Sequence, residues 1–443
     1  MRALLGLALA AMVATAAAGG SDLYRLVDDL FSRDAAVRSA ARDELIARND
    51  PSIAAALVEA VFYNTAGQEE SVAVLEHLLG EKHGSSFRKW VEAIGRREDL
   101  RPAPGYVAFK ARMVAKIDPA LAEFLKEDAP RTIRPEEIVW GGVIRDGIPA
   151  LDRPRFIEAS RATWLSPDEP VFGVVVAGDA RAYPERILAW HEMANDRIGG
   201  RPVSLSYCTL CGAAIAYGGE ASDGRTYTFG SSGFLYRSNK LMYDRRTGTL
   251  WSQLTGEPVF GPLVAKKLEP LRVLPLTVTT WREWRAAHPK TRVLSLETGY
   301  VRDYRPGAAY GSYLASPDTM FPVWKKVPSS LAIKDSVLVV NVGSVRKLYP
   351  VDALRGPALV HDRVGGKEIV LIGERAYESG GRRFRREGAA LIDPATGERF
   401  TVGEESLSSQ TGTRLPRVPS HRAFWFGAYA FYPGTELWQP HEE

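Results

Sequence analysis

Sulfur is scarce in this chain. Its 443 residues include two cysteines and six methionines. Two thiols close one bridge at most, and no second cysteine pair exists to complete a four-coordinate structural zinc site. A c-type haem is excluded as well. That attachment needs a histidine directly after the second cysteine, and Gly212 stands there. Charge of one sign is also lacking: 57 lysines and arginines against 53 acids leave a net charge of +4, small for this length. The basic residues are scattered except for Arg382-Arg-Phe-Arg-Arg386, a cluster between turn signals that reads as an exposed hairpin. No nucleic-acid partner is expected. Beyond the amino terminus no apolar run is long enough to span a bilayer, so no integral membrane segment is expected after leader cleavage.

What is present begins with a leader. Arg2 supplies a positive start, Ala3 to Ala18 is apolar and small, and Ala16-Ala-Ala18 before Gly19 fits a cleavage site. Residues 1–18 therefore read as a signal peptide and the mature chain as soluble, secreted or periplasmic. In such an oxidising compartment, neighbouring thiols join unless a metal or a reductant keeps them apart.

The expected class is α+β. Residues 19–130 carry helical periodicity in Leu23, Leu26, Val27 and Leu30. Asp34 to Ile46 resembles one helix of a HEAT-type repeat, and Asp50-Pro51 and Asp118-Pro119 are helix starts. A packing role, or the docking of a protein, is expected of this part. From residue 131 glycines and prolines recur and the chain favours short strands in mixed or antiparallel sheets. A repeat divides this part into 131–330 and 331–443. Ala182-Tyr-Pro184, Asn195-Asp-Arg-Ile-Gly-Gly200 and Asp244-Arg-Arg-Thr-Gly248 recur in the same order as Leu348-Tyr-Pro350, His361-Asp-Arg-Val-Gly-Gly366 and Asp393-Pro-Ala-Thr-Gly397. A duplicated β-rich unit is expected. Aligned on the double glycine, Cys208 and Cys211 face Glu374 and Tyr377, so the thiols are a feature of the first copy alone.

A wider set of motifs carries a family resemblance. It comprises Arg181-Ala-Tyr-Pro184, Trp190-His-Glu192, Asn195-Asp196, Tyr207-Cys-x-x-Cys211, Phe229-Gly-x-Ser-Gly233, Met242-Tyr-Asp-Arg245 and Trp251-x-Gln-x-Thr-Gly256. Over about residues 135–440 the chain resembles the bacterial domain of unknown function 3179 family. The resemblance implies an uncharacterised, often exported protein, and it does not choose a chemistry.

The candidate site centres on Cys208 and Cys211. Two thiolates separated by two residues make half of a metal site. His191 is the expected third ligand and Met242 or Asp244 the fourth. Sulfur ligands with one histidine and a methionine put copper before zinc. Three other readings stay open. The pair can exchange disulfides with a small thiol or a protein thiol, although only Gly212 to Tyr217 follow it before Gly218-Gly219, too few for a helix that would activate a thiol. It can be a structural staple. One cysteine can be a nucleophile with His191 as its base. Separately, Gly230-Ser-Ser-Gly233 is a candidate glycine loop whose amides, helped by Arg237 and Arg245, would hold an anion; Asp244 is counted with this ligand-binding set, with an ion pair to Arg245 as its competing reading. A tight hairpin turn is the competing expectation for that loop.

Overall fold

The computed structural model describes residues 22–323, 326–356 and 359–440. The expected signal peptide lies outside the described residues. Helices come first and a β-rich region follows, so the chain is α+β. The first helices start where acids cap them. Asp34, Asp50 and Asp118 accept the N–H of Ala36, Ser52 and Ala120, and proline fills the first turn after Asp50 and Asp118. Ala54–Tyr63 is the central helix, because Ala54 to Val61 are buried all round. It packs on Gln68–Leu79, Phe87–Arg96 and Tyr106–Ala115. Its Glu59 forms a buried ion pair with Lys110 and accepts the Tyr106 hydroxyl at 2.9 Å.

Three five-stranded sheets follow. One orders Leu276–Thr280, Pro170–Val176, Asp179–Pro184, Arg292–Leu294 and Phe156–Glu158. The second orders Val273–Leu274, Ala213–Gly218, Arg201–Cys208, Met193–Ile198 and Leu151–Asp152. The third orders Ile138–Trp140, Phe229–Tyr236, Asn239–Asp244, Leu250–Ser252 and Pro258–Phe260. Most neighbours are antiparallel. Several hairpins turn on two residues of positive φ, such as Ala177-Gly178 and Gly199-Gly200, which matches the natural twist of paired strands.

The carboxy-terminal part has its own three sheets, of four, three and five strands. Its pairing runs parallel to the earlier part. Pro170–Val176 pairs with Asp179–Pro184 and with Leu276–Thr280; the helix Trp281–Ala287 follows, and Arg292–Leu294 then lies parallel to Asp179–Pro184. Likewise Ser336–Val342 pairs with Val345–Pro350 and with Ser420–Phe424; Trp425–Phe431 follows, and Glu436–Leu437 lies parallel to Val345–Pro350. Tyr183 donates to Asp196 at 2.6 Å, as Tyr349 donates to Asp362 at 2.8 Å.

The largest apolar core joins the helices, the first sheets and the carboxy-terminal part, and Cys208 and Cys211 belong to it. Elsewhere the two β-rich parts enclose a cavity of about 390 Å³. Its charges are matched internally: Arg417 and Arg375 both reach Glu404, at 3.0 and 3.2 Å, and Arg422 pairs with Glu374.

Candidate functional site

The strand Arg201–Cys208 ends at the first thiol. A single 3-10 turn, Thr209–Cys211, carries the second. Gly212 then takes a φ of 58°, and Ala213 pairs back on Cys208. Only glycine serves there, because an added Cβ would meet the Phe424 ring at 2.7 Å in a backbone conformation that side chains resist. Both cysteines are free, and they retain 1 % and 0 % of their exposure.

A second turn faces this one. Arg237 and Ser238 both have positive φ, 52° and 63°, although neither is glycine. Such a turn persists when its surroundings hold it. Arg237 is held by Glu137 at 2.6 Å and by the Ala430 carbonyl at 3.0 Å. The Ser238 hydroxyl donates to the Pro322 carbonyl at 2.8 Å. The Ser238 carbonyl then accepts the Cys211 thiol at 3.2 Å.

The two sulfurs titrate in opposite directions. Burial acts to raise Cys208, but the neighbouring Cys211 side chain and the backbone N–H groups of Lys240 and Cys211 outweigh it. The Cys208 thiol falls below its ordinary value of 9.0. Burial, and then the bond to Cys208 and its charge, push Cys211 well above that value. Of the two thiols, Cys208 is therefore the one that gives up its proton more readily.

A buried ion pair lies close by. Lys240 sets its ammonium 3.2 Å from a Glu192 carboxylate oxygen and 3.2 Å from the Glu192 carbonyl. Tyr310 donates to the same carboxylate at 3.4 Å. The charge of Glu192 acts on both cysteines and raises both. Tyr313 closes the turn by donating to the Leu210 carbonyl at 2.7 Å. Its own hydroxyl is raised by burial and then by the charges of Cys211 and Cys208.

The expected metal ligands do not assemble. Among the described residues no group of three or more histidines, cysteines, aspartates or glutamates is placed to hold a metal ion. His191 is fully buried with both ring nitrogens engaged. Nδ1 lies 2.8 Å from the Pro149 carbonyl, so it carries the proton, and Nε2 accepts the Tyr304 hydroxyl at 2.5 Å. Burial lowers its pKa. His191 is thus a neutral packing histidine beside Glu192, with no lone pair left for a metal. Met242 is fully buried in the core, opposite Ser231 and Trp251.

The glycine run is a strand and not a loop. Gly230, Ser231, Ser232 and Gly233 lie within Phe229–Tyr236, paired on one side with Ile138–Trp140 and on the other with Asn239–Asp244. Its glycines serve close approach: a Cβ on Gly233 would meet the Val143 carbonyl at 2.5 Å. Asp244 is consumed by its own turn. It accepts the N–H of Arg246 and Thr247, the Thr247 hydroxyl and the Trp251 indole. Arg245 pairs with Asp152.

The charged groups beside the thiols, Glu192 and Lys240, are not among the residues that the spacing singles out. Lys240 did leave a signal. It immediately precedes the apolar run Leu241-Met-Tyr243, and a charge in a buried strand needs a partner.

A family model described as protein of unknown function (DUF3179) matches residues 145–435. The chain belongs to this family. The match takes in the thiol turn, Glu192, Lys240 and the carboxy-terminal part, while the amino-terminal helices lie outside it. Neither the curated proteins nor the solved structures give a match to this DUF3179 chain. Among its described residues no helix is long and apolar enough to cross a membrane.

Proposed function

We propose that this DUF3179 protein is a redox protein whose Cys208–Cys211 pair cycles between dithiol and disulfide. One observation carries the reading: two adjacent free thiols, one lowered and one raised in pKa, lie beside a buried Glu192–Lys240 pair. Cys208 is the nucleophile and Cys211 the resolving thiol. The Cys208 thiolate attacks an electrophilic centre of the oxidant and forms an adduct. Cys211 gives up its proton, attacks the Cys208 sulfur and expels the reduced fragment of the oxidant, leaving a disulfide.

The expected result is specific to each cysteine. On oxidation the intact protein loses two hydrogens by mass. Cys208→Ser gives no adduct. Cys211→Ser stops at an oxidised Cys208, because the thiol that would resolve it is gone. A wild-type pair left reduced by every oxidant would contradict the reading. The ultraviolet signal of the thiolate adds a pH test. Thiolate rises with pH, and for Cys208 its midpoint lies below 9.0. Cys211→Ala removes a lowering hydrogen bond and shifts that midpoint upward.

Two further inferences accompany this reading. The leader Arg2 to Ala18 supports export, which sequencing of the mature amino terminus checks. The shared strand pairing and the two tyrosine–aspartate bonds support an origin of the β-rich parts by duplication. An experimental structure in which the two parts failed to superpose strand for strand would remove that idea.

A further inference from the structure

This inference rests on the dithiol reading and concerns what oxidises the pair. Both sulfurs are covered from several sides. A Cβ on Gly427 of the carboxy-terminal part would stand 3.3 Å from the Cys211 sulfur, and Phe424 lies over Gly212. The segment linking the two β-rich parts crosses the turn, with Tyr310 on Glu192, Tyr313 on the Leu210 carbonyl, and the Phe321 and Pro322 carbonyls on Ser238. A disulfide in another protein must bring a sulfur into contact with the attacking thiolate, together with its flanking backbone. This cover does not admit that approach.

The surroundings of the thiols are nevertheless polar. Ser206 Oγ, Thr209 Oγ1 and Asn239 Oδ1 belong to buried residues and have no hydrogen-bond partner within the protein. Thr209 stands between the two cysteines in sequence, Asn239 hydrogen-bonds Cys211 through its side chain, and Ser206 precedes Cys208 by two residues. Buried polar atoms are normally satisfied. Three such unpartnered groups belong to residues that form or adjoin the thiol turn, and a small hydrogen-bonding guest would satisfy them.

We propose that the oxidant of this pair is a hydroperoxide as small as hydrogen peroxide, received among Thr209, Asn239 and Ser206. The Cys208 thiolate attacks one peroxide oxygen and the O–O bond breaks. Cys208 becomes a sulfenic acid, and the departing hydroxide takes a proton to leave as water. The Cys211 thiolate then attacks the Cys208 sulfur, the S–O bond breaks, and a second hydroxide takes a proton. In sum, two thiols and one hydrogen peroxide give one disulfide and two waters, with two electrons passing from sulfur to oxygen. Thr209 is a positioning residue in this scheme.

The test uses the full chain, reduced and freed of reductant. Hydrogen peroxide, cumene hydroperoxide and oxidised glutathione are compared at equal concentration, with disulfide formation read by mass. Hydrogen peroxide is expected to close the pair in a time over which the two larger oxidants do not. Cys211→Ser should then accumulate a sulfenic acid on Cys208, read as a gain of one oxygen by mass and trapped by dimedone added on denaturation. Thr209→Val should slow the peroxide reaction about tenfold, the loss of one hydrogen bond in the transition state, while leaving the thiolate midpoint in place. Closure by oxidised glutathione but not by peroxide would overturn this inference and leave the dithiol reading standing. Equal rates for small and bulky peroxides would overturn the size argument. Failure of every oxidant to join the pair would remove the dithiol reading itself.

Discussion

Lys240→Met is expected to destabilise the protein by about 3–5 kcal/mol, the usual cost of stripping one partner from a buried ion pair. The side chains of Lys240 and Glu192 are almost wholly buried. Without the ammonium, the Glu192 carboxylate keeps, among the described residues, the long hydrogen bond from Tyr310 at 3.4 Å. Methionine fills the same volume, so the loss reports charge and not a cavity. Removing both charges as Lys240→Met with Glu192→Leu should recover most of the stability, because no lone charge is then left inside. Denaturant unfolding of the two single variants and the double variant checks this. Additive losses would mean that the pair is not coupled. The pair also has a chemical side. Glu192 raises both thiols, so Glu192→Gln should lower the Cys208 midpoint further.

The second large effect is expected at Asp244. Its carboxylate accepts four hydrogen bonds at 2.7 to 3.1 Å, from two backbone N–H groups, the Thr247 hydroxyl and the Trp251 indole. Asp244→Ala leaves the buried indole N–H and the turn amides without acceptors. At about 1–3 kcal/mol for each buried group left unpaired, a loss of about 3–5 kcal/mol follows. Asp393 is the aspartate that the sequence repeat sets against it, and it pairs with Arg382 at 3.4 Å. It accepts the Ala395 N–H and the Thr396 hydroxyl but no indole, so Asp393→Ala should cost less. Thermal unfolding ranks the two. An Asp244→Ala protein as stable as the wild type would show that the turn does not depend on its carboxylate.

Much of the fold was readable in local chemistry. The capping aspartates at 34, 50 and 118 mark helix starts in the sequence and do so in the structure. The division into helices and then short strands follows from the change of periodicity and the onset of glycine and proline. The thiol turn is legible for the same reason: its features lie within five residues of one another. What was not legible depends on distant partners. Glu192 and Lys240 are 48 residues apart, and His191 and Tyr304 are 113 apart. No spacing rule joins such pairs, so His191 looked available when its ring was already taken. The run Gly230 to Gly233 misled in another way. Glycine and serine signal turns, but they also allow two backbones to approach closely inside a sheet, and that is their use here.

The central claim is that Cys208 and Cys211 form one reversible redox couple. The most direct test is an equilibrium titration of the full chain across graded ratios of reduced to oxidised dithiothreitol, each sample held, with brief partial unfolding to open the cover over the thiols, until its state no longer changes, then quenched in acid, denatured and alkylated. The account predicts that both cysteines change state together, at one potential, with the slope of a two-electron couple. Thiols that stay reduced at every ratio, or a bridge that stays closed at every ratio, would contradict it.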